Sequence, residues 1–339
     1  MQLKYYRLPH PSFDLYGVVY EQNSGFVRLP MEVARSVSEG VVQFGKHTSG
    51  GRLRFSTDAT DFELTVKYDD LGFMPHMALL GTSGFMLLEE EDGGEYSLAA
   101  MFTPHYVDDR GYTIRKPLKG GRMRDYVLFF PTYNNVTALT LGFNDNACVT
   151  NGRKYRAVKP ILYYGSSVTQ GACCSRPDNC YPALVSKWNH IDFINLGFSE
   201  SGKAEDRMVD YLASLDCSVF VCDYDYNAPD LEHLKKTHYR LYERYREKNP
   251  NIPILFISRA NVDFEREKCA ERFAVIQNTY ERAVAQGDKN VYLIDGSKTY
   301  GEKDRDFCTT DMVHPNDIGF YRYAKTVYEK LVTIDKTFA

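Results

Sequence analysis

The hydrophobic rhythm of this chain changes once, near residue 157, and no single sheet architecture accommodates both rhythms. Before that point, short segments separated by Gly, Asp and Asn carry apolar side chains at every second position, the pattern of half-buried strands. Arg52-Leu53-Arg54-Phe55 and Phe62-Glu63-Leu64-Thr65-Val66-Lys67-Tyr68 each direct their apolar residues to one sheet face. Such a face needs a second sheet to cover it. Between the strand-like pieces Phe85 to Leu88 and Tyr96 to Ala100, the run Glu91-Asp92-Gly93-Gly94 offers glycines for the positive φ angles of a tight hairpin. Few stretches look helical. The expectation for residues 1–157 is a β-sandwich of jelly-roll type.

From about Lys159 the pattern becomes apolar strand, loop, amphipathic helix, repeated, which predicts a parallel sheet covered by helices. Ile161 to Tyr164, Phe193 to Leu196, Val219 to Cys222, Ile254 to Ile257 and Val291 to Ile294 are short and apolar throughout, as strands buried on both faces should be. Leu231 to Arg246 reads as a helix, with Leu231, Leu234, Leu241 and Tyr245 on one stripe and charges between. The second unit is therefore an α/β domain over residues 158–339.

A formal net charge of −4 gives no basic field for a polyanion, so no nucleic-acid partner is expected. No run of about 18 apolar residues is long enough for a membrane span, and the amino-terminal MQLKYYRLPHPSFDLYG lacks the apolar core of a signal peptide. A cytoplasmic location with reduced thiols is the expectation. The eight cysteines are irregularly spaced, and Cys173, Cys174 and Cys180 match no standard zinc pattern, so neither a metal nor another cofactor is expected. Oligomeric state is not legible.

In open parallel sheets, ligands bind outside the carboxyl ends of the strands. There this chain is unusually polar: Gly165-Ser166-Ser167-Val168-Thr169-Gln170-Gly171 after the first strand, Asn195-Leu196-Gly197-Phe198-Ser199 at the second, Asp223-Tyr224-Asp225-Tyr226-Asn227 at the third, and Asp311-Met312-Val313-His314-Pro315 near the end. The order and placement of these segments resemble the SGNH, or GDSL-like, hydrolases over residues 159–332. That family's GDS block followed by I-T-x-G looks like Gly165 to Gly171, with Ser167 at the nucleophile and Ser166 where an aspartate is usual. Gly197 matches the second-block glycine, Asn227 the third-block asparagine, and Asp311 with His314 the DxxH block. The resemblance implies a flavodoxin-like α/β/α three-layer catalytic domain, and the preceding sandwich is similar to a two-domain branch of the family and to some acetyl-carbohydrate esterases.

The chemistry implied is coherent. A serine hydroxyl is a weak nucleophile until an imidazole takes its proton, which casts His314 as base and Asp311 as the group that orients it. The backbone N–H groups of Ser167 and Gly197 and the Asn227 amide would stabilise the oxyanion. Each residue also has an ordinary alternative: Ser167 as a helix cap, Asn227 and Gly197 as turn residues, His314 as the start of the last helix. His10, His47, His76 and His105 in the sandwich half, and His190, His233 and His238 in the second half, all read as structural or surface. Arg259, after the fourth strand, either contacts substrate or pairs with Asp263, pairing being favoured. The expected activity is serine carboxylester hydrolysis of a small-molecule or carbohydrate ester, with acetyl the preferred acyl group. The alternatives are a lysophospholipase or thioesterase, and a carbohydrate-binding protein with a decayed hydrolase domain.

Overall fold

The computed structural model describes residues 2–69, 72, 74–106 and 110–339. In the first half, one antiparallel sheet orders Leu3–Arg7, Val136–Asn144, Asp61–Tyr68 and Gly111–Pro117 side by side. The facing sheet orders Val149–Asn151, Arg52–Thr57, Arg124–Phe129, Phe85–Glu90 and Tyr96–Phe102, with Asp14–Tyr16 also paired to Arg52–Thr57. Leu53 and Phe55 from one sheet meet Phe62, Leu64, Leu141 and Phe143 from the other in a shared core. Phe85–Glu90 and Tyr96–Phe102 form the expected hairpin, although only Gly94 takes a positive φ (84°).

Besides the five-residue helix Leu79–Ser83, two short helices, Met31–Val37 and Glu39–Gly45, depart from the largely stranded expectation for this half. Each is only seven residues long, too short for a clear helical period, and their apolar side chains Met31, Ala34 and Val41 serve the other half's core instead of the sandwich.

In the second half, five parallel strands lie in the order Phe193–Gly197, Ile161–Gly165, Val219–Asp223, Ile254–Ile257, Val291–Ile294. The chain starts in the second position, steps to one edge and then crosses to the other side of its first strand, which is the doubly wound order 2-1-3-4-5. Leu162 and Tyr164 point to one face and Ile161 and Tyr163 to the other, all fully buried, which explains the unbroken apolar runs. Asp206–Leu212, Leu231–Lys248 and Arg266–Ala285 cover the first face, and Tyr181–Asn189 and Asp317–Ile334 the second. Among the described residues, no helix is long and apolar enough to cross a membrane.

The two halves are welded along the edge strand Phe193–Gly197. Asp192 O and Phe198 N bond its only strand neighbour, so Phe193, Asn195 and Gly197 turn their carbonyls to the open edge. Bare edge carbonyls buried away from water would be costly. Two arginines of the sandwich half meet them: Arg52 donates to Phe193 O at 3.1 Å, and Arg28 to Asn195 O at 3.2 Å and to Gly197 O. Arg28 also binds the carbonyls of Phe44 and His47, and its guanidinium lies 4.8 Å from the Phe198 ring centre. Sequence alternation alone would have left Arg52 and Arg54 facing water; both are buried, Arg52 paired with Asp192 and Arg54 with Glu90.

Candidate active site

Ser167 opens a one-turn helix, Ser167–Gln170, immediately beyond the strand Ile161–Gly165. Ser166 caps it, its hydroxyl accepting from Val168 N at 3.1 Å, and Gly171 ends it in a left-handed conformation (φ 102°). The tightness of this turn shows at Gly165, where a Cβ would fall 2.1 Å from the Thr169 hydroxyl and against the Asp223 carboxylate. Asp223 lies beneath the turn, accepting from Thr169 and, at 3.1 Å each, from Tyr181 and Tyr323. Burial pushes its carboxyl up to about 7 against those hydrogen bonds. A buried acid at the end of the adjacent strand Val219–Asp223, two strands later in the chain, thus supports the nucleophile turn, while Ser166 replaces the familiar neighbouring aspartate with a cap.

The sandwich half holds the far end of the same turn. The Gln170 amide donates to Thr132 O at 3.1 Å and contacts His47 Nδ1 at 3.2 Å, while its oxygen accepts from Ser199 N at 3.0 Å. Burial, helped by nearby Arg28, pushes His47 down to about 3, so it is neutral and can accept that amide proton.

His314 comes from the loop before the helix Asp317–Ile334. Its Nε2 is 2.9 Å from Ser167 Oγ, and its Nδ1 is 2.8 Å from Asp311 Oδ2. Asp311 Oδ1 accepts from the backbone N–H groups of His314 at 2.7 Å and Val313 at 3.1 Å. Burial raises the Asp311 carboxyl, and the His314 ring and these N–H donors outweigh it, leaving its pKa below the ordinary value. The loop is fixed by Met312 in a left-handed conformation (φ 65°), with its carbonyl bound by the Asn261 amide. The structure therefore brings Ser167, His314 and Asp311 into one hydrogen-bonded chain.

The oxyanion expectations need one correction. Gly197 N–H points to the open edge of the sheet and donates to Asn195 Oδ1 at 3.0 Å, so it is not free to face a substrate on Ser167. Its glycine is required by packing: a Cβ there would stand 2.3 Å from Gln170 N. In the following turn, Phe198 N bonds Gly165 O, Ser199 N bonds Gln170, and Ser201 N and Gly202 N bond Phe198 O. Glu200, in a left-handed conformation (φ 54°), is the residue of this stretch whose N–H has no partner among the described residues. Nothing in its side chain announced this; a glutamate at positive φ is legible only in three dimensions. Asn227 sits where expected, at the end of the short helix Tyr224–Asn227, donating one amide hydrogen to Phe198 O at 2.6 Å. Ser167 N–H, first in its helix, has no intrahelical acceptor.

Arg259 does not pair with Asp263. Its guanidinium lies 3.6 Å from Glu265 and 4.7 Å from the Tyr226 ring centre, beside a cavity of about 380 Å³ that none of the three chained residues lines. Asp263 is taken instead by Arg266 and Arg305, at 3.0 Å each. Cys174 and Cys180 are buried and turned to the carbonyls of Gly171 and Pro177, whereas Cys173 lies beside Asp311. His76, read from the sequence as structural or surface, reaches in from the sandwich half, with Nε2 3.7 Å from Asp311 Oδ2. On the sandwich side of the nucleophile turn lies a cavity of about 580 Å³, lined by His47, Tyr133, Asn135, Ser199 and Glu200 together with Phe44 and Met74.

A family model described as the GDSL-like lipase/acylhydrolase family matches residues 158–332, and one for the N-terminus of SGNH hydrolase-type esterases matches residues 3–149. Among solved structures, a protein from Bacteroides ovatus described as a GDSL-like lipase is similar with TM-score 0.88 and 26% identity, over 99% of this chain and 98% of that one. The salicylyl-acyltransferase SsfX3 of a tetracycline biosynthetic pathway follows with TM-score 0.78 and 18% identity, over 98% and 97%. A family two carbohydrate esterase from Cellvibrio japonicus has TM-score 0.68 and 12% identity, over 100% and 99%. The comparison with curated proteins found no match.

Proposed function

Because this chain belongs to the GDSL-like lipase/acylhydrolase family, we propose that it hydrolyses carboxylic esters through an acyl-enzyme on Ser167, with acetyl or a similarly small acyl group as its preferred load. The observation that carries this reading is the chain Ser167 Oγ to His314 Nε2 at 2.9 Å and His314 Nδ1 to Asp311 at 2.8 Å. His314 takes the serine proton as Oγ attacks the ester carbonyl, and Asp311 keeps the ring proton on Nδ1 and stabilises the imidazolium. The imidazolium then protonates the leaving alkoxide, and in the second half-reaction His314 activates a water against the acyl group. The donors for the oxyanion are the N–H groups of Ser167 and Glu200 and the Asn227 amide.

The alcohol side of the substrate is carbohydrate or another polyhydroxylated molecule. Support comes from the cavity beside the nucleophile turn, lined by the polar residues His47, Asn135, Ser199 and Glu200 together with Phe44. The likeness to carbohydrate esterases agrees with it. All eight cysteines are free and seven of them buried, which supports action in a reducing, cytosolic setting.

A series of p-nitrophenyl esters of increasing chain length, run beside acetylated sugars, tests the reading. Preference for acetate and release of acetate from the sugars is expected. Preference for long acyl chains favours a lysophospholipase or thioesterase, and absence of hydrolysis favours a binding protein.

A further inference from the structure

The side chains around His314 make a second constellation that ester hydrolysis does not use. His76, Cys173, Asp311 and His314 each place one potential ligand atom so that all four lie within 4.8 Å of one another. They come from three separate parts of the chain: His76 from the sandwich half, Cys173 from the loop after the nucleophile turn, and Asp311 with His314 from the loop before the last helix. Cys173 is held in a left-handed conformation (φ 67°) with its side chain buried, so its thiol is fixed toward this cluster. The rings of His76 and His314 lie roughly parallel with centres 6.1 Å apart.

We propose that these four side chains bind a zinc-type divalent cation, and that the bound ion reversibly switches off the hydrolase. Two imidazoles, a thiolate and a carboxylate form a four-ligand set of the kind tetrahedral zinc takes. The thiolate favours a soft or borderline ion over magnesium or calcium. Bonds of about 2.0–2.3 Å put neighbouring ligand atoms roughly 3.5 Å apart around such an ion. His76 Nε2 and Asp311 Oδ2 already stand at 3.7 Å, and His314 Nδ1 and Asp311 Oδ2 at 2.8 Å. His76, whose side chain is 37% exposed, is the most exposed of the four. The consecutive-cysteine spacing gives no hint of the site, because its ligands meet only when the sandwich docks on the catalytic half.

Inhibition rests on the reading of His314 as base. As the ion binds, the Cys173 thiol releases its proton to solvent and a sulfur–metal bond forms. His314 Nδ1 gives its lone pair to the metal, so the single proton of the neutral ring resides on Nε2, and that nitrogen can no longer accept the proton of Ser167. Asp311, drawn to the ion, no longer orients the ring.

Cobalt(II) serves as the probe, because a thiolate ligand gives it a sulfur-to-metal charge-transfer band that is read without any substrate. Wild type and Ser167→Ala should both bind one cobalt with this band. Cys173→Ser should lose the band, and His76→Ala, an exposed change whose folding is checked by circular dichroism, should bind at least about tenfold more weakly, since even partners of ligands cost 10–100-fold in affinity. Zinc should inhibit wild-type ester hydrolysis, with the half-inhibiting concentration rising at least about tenfold in His76→Ala. A missing band in wild type, a band that persists in Cys173→Ser, or an affinity unchanged in His76→Ala overturns the site. Cobalt binding that leaves hydrolysis undiminished overturns the switch. Should wild type hydrolyse no ester at all, the proposed function fails while the band still decides the site.

Discussion

Asp311 grips His314 twice, accepting from the ring Nδ1 at 2.8 Å and from the backbone nitrogen at 2.7 Å. One carboxylate oxygen thereby shapes the loop while the other orients the imidazole. The two duties separate in Asp311→Asn, where a side-chain oxygen can still accept from the backbone, but an amide group facing Nδ1 favours the wrong tautomer. The variant should melt within a few degrees of wild type while kcat falls by up to about 10⁴-fold. Steady-state kinetics beside a thermal melt measures both; a near-normal kcat in the folded variant would reduce the assembly to a Ser167 and His314 pair.

The oxyanion donors make separable demands. Asn227→Ala should lower kcat by about 10²–10³-fold with little change in KM, the cost of one preorganised donor. Glu200→Gly keeps the N–H and suits a positive φ, so kcat should remain close to wild type, whereas Glu200→Val, whose β-branched side chain disfavours that conformation, should turn the N–H away and lower kcat. Gly197→Ala should act on stability, because its Cβ would meet Gln170 N at 2.3 Å. A soluble, stable Gly197→Ala enzyme with selectively lowered kcat would restore Gly197 to the oxyanion hole.

Asp223 predicts a pH dependence of stability. Burial raises its folded-state carboxyl from an ordinary 3.8 to about 7. Between these values the folded chain holds a proton that the unfolded chain has released, so this group makes stability fall as pH rises from about 4 to 7. Asp223→Asn removes that titration. Urea unfolding at pH 5 and pH 8 should show a smaller loss of stability across the interval in the variant than in wild type, the difference amounting to about 1 kcal/mol or more. Equal slopes would mean that Asp223 stays ionised in its buried site.

Much of this architecture was legible in the sequence because periodicity reports burial directly. The five apolar runs from Ile161 to Ile294 became the parallel sheet, and the helix expected from Leu231 to Arg246 extends to Lys248. Ser167, Asp311 and His314 were legible because each follows or precedes a predictable element and their order resembles one family. What escaped depends on docking between distant segments. Alternation places Arg52 on the solvent side of its strand, and nothing local marks Arg28, yet both cap the carbonyls of an edge strand more than a hundred residues away. His76 gave no signal at all, since nothing local reveals that the sandwich loop ends against Asp311. Gly197 was misread for a physical reason: in a strand, alternate N–H groups point to opposite edges, and fixing which one needs the register with Ile161–Gly165.

With Ser167 as nucleophile, its neighbour Ser166 provides the internal control, because its hydroxyl is engaged as a helix cap, accepting from Val168 N at 3.1 Å. Treatment with a fluorophosphonate probe, followed by mass spectrometry of the peptide spanning both serines, is the most direct measurement. A single label on Ser167 is expected, lost together with ester hydrolysis in Ser167→Ala and retained in Ser166→Ala. A label on Ser166, or labelling and hydrolysis that survive Ser167→Ala, would contradict Ser167 as the nucleophile.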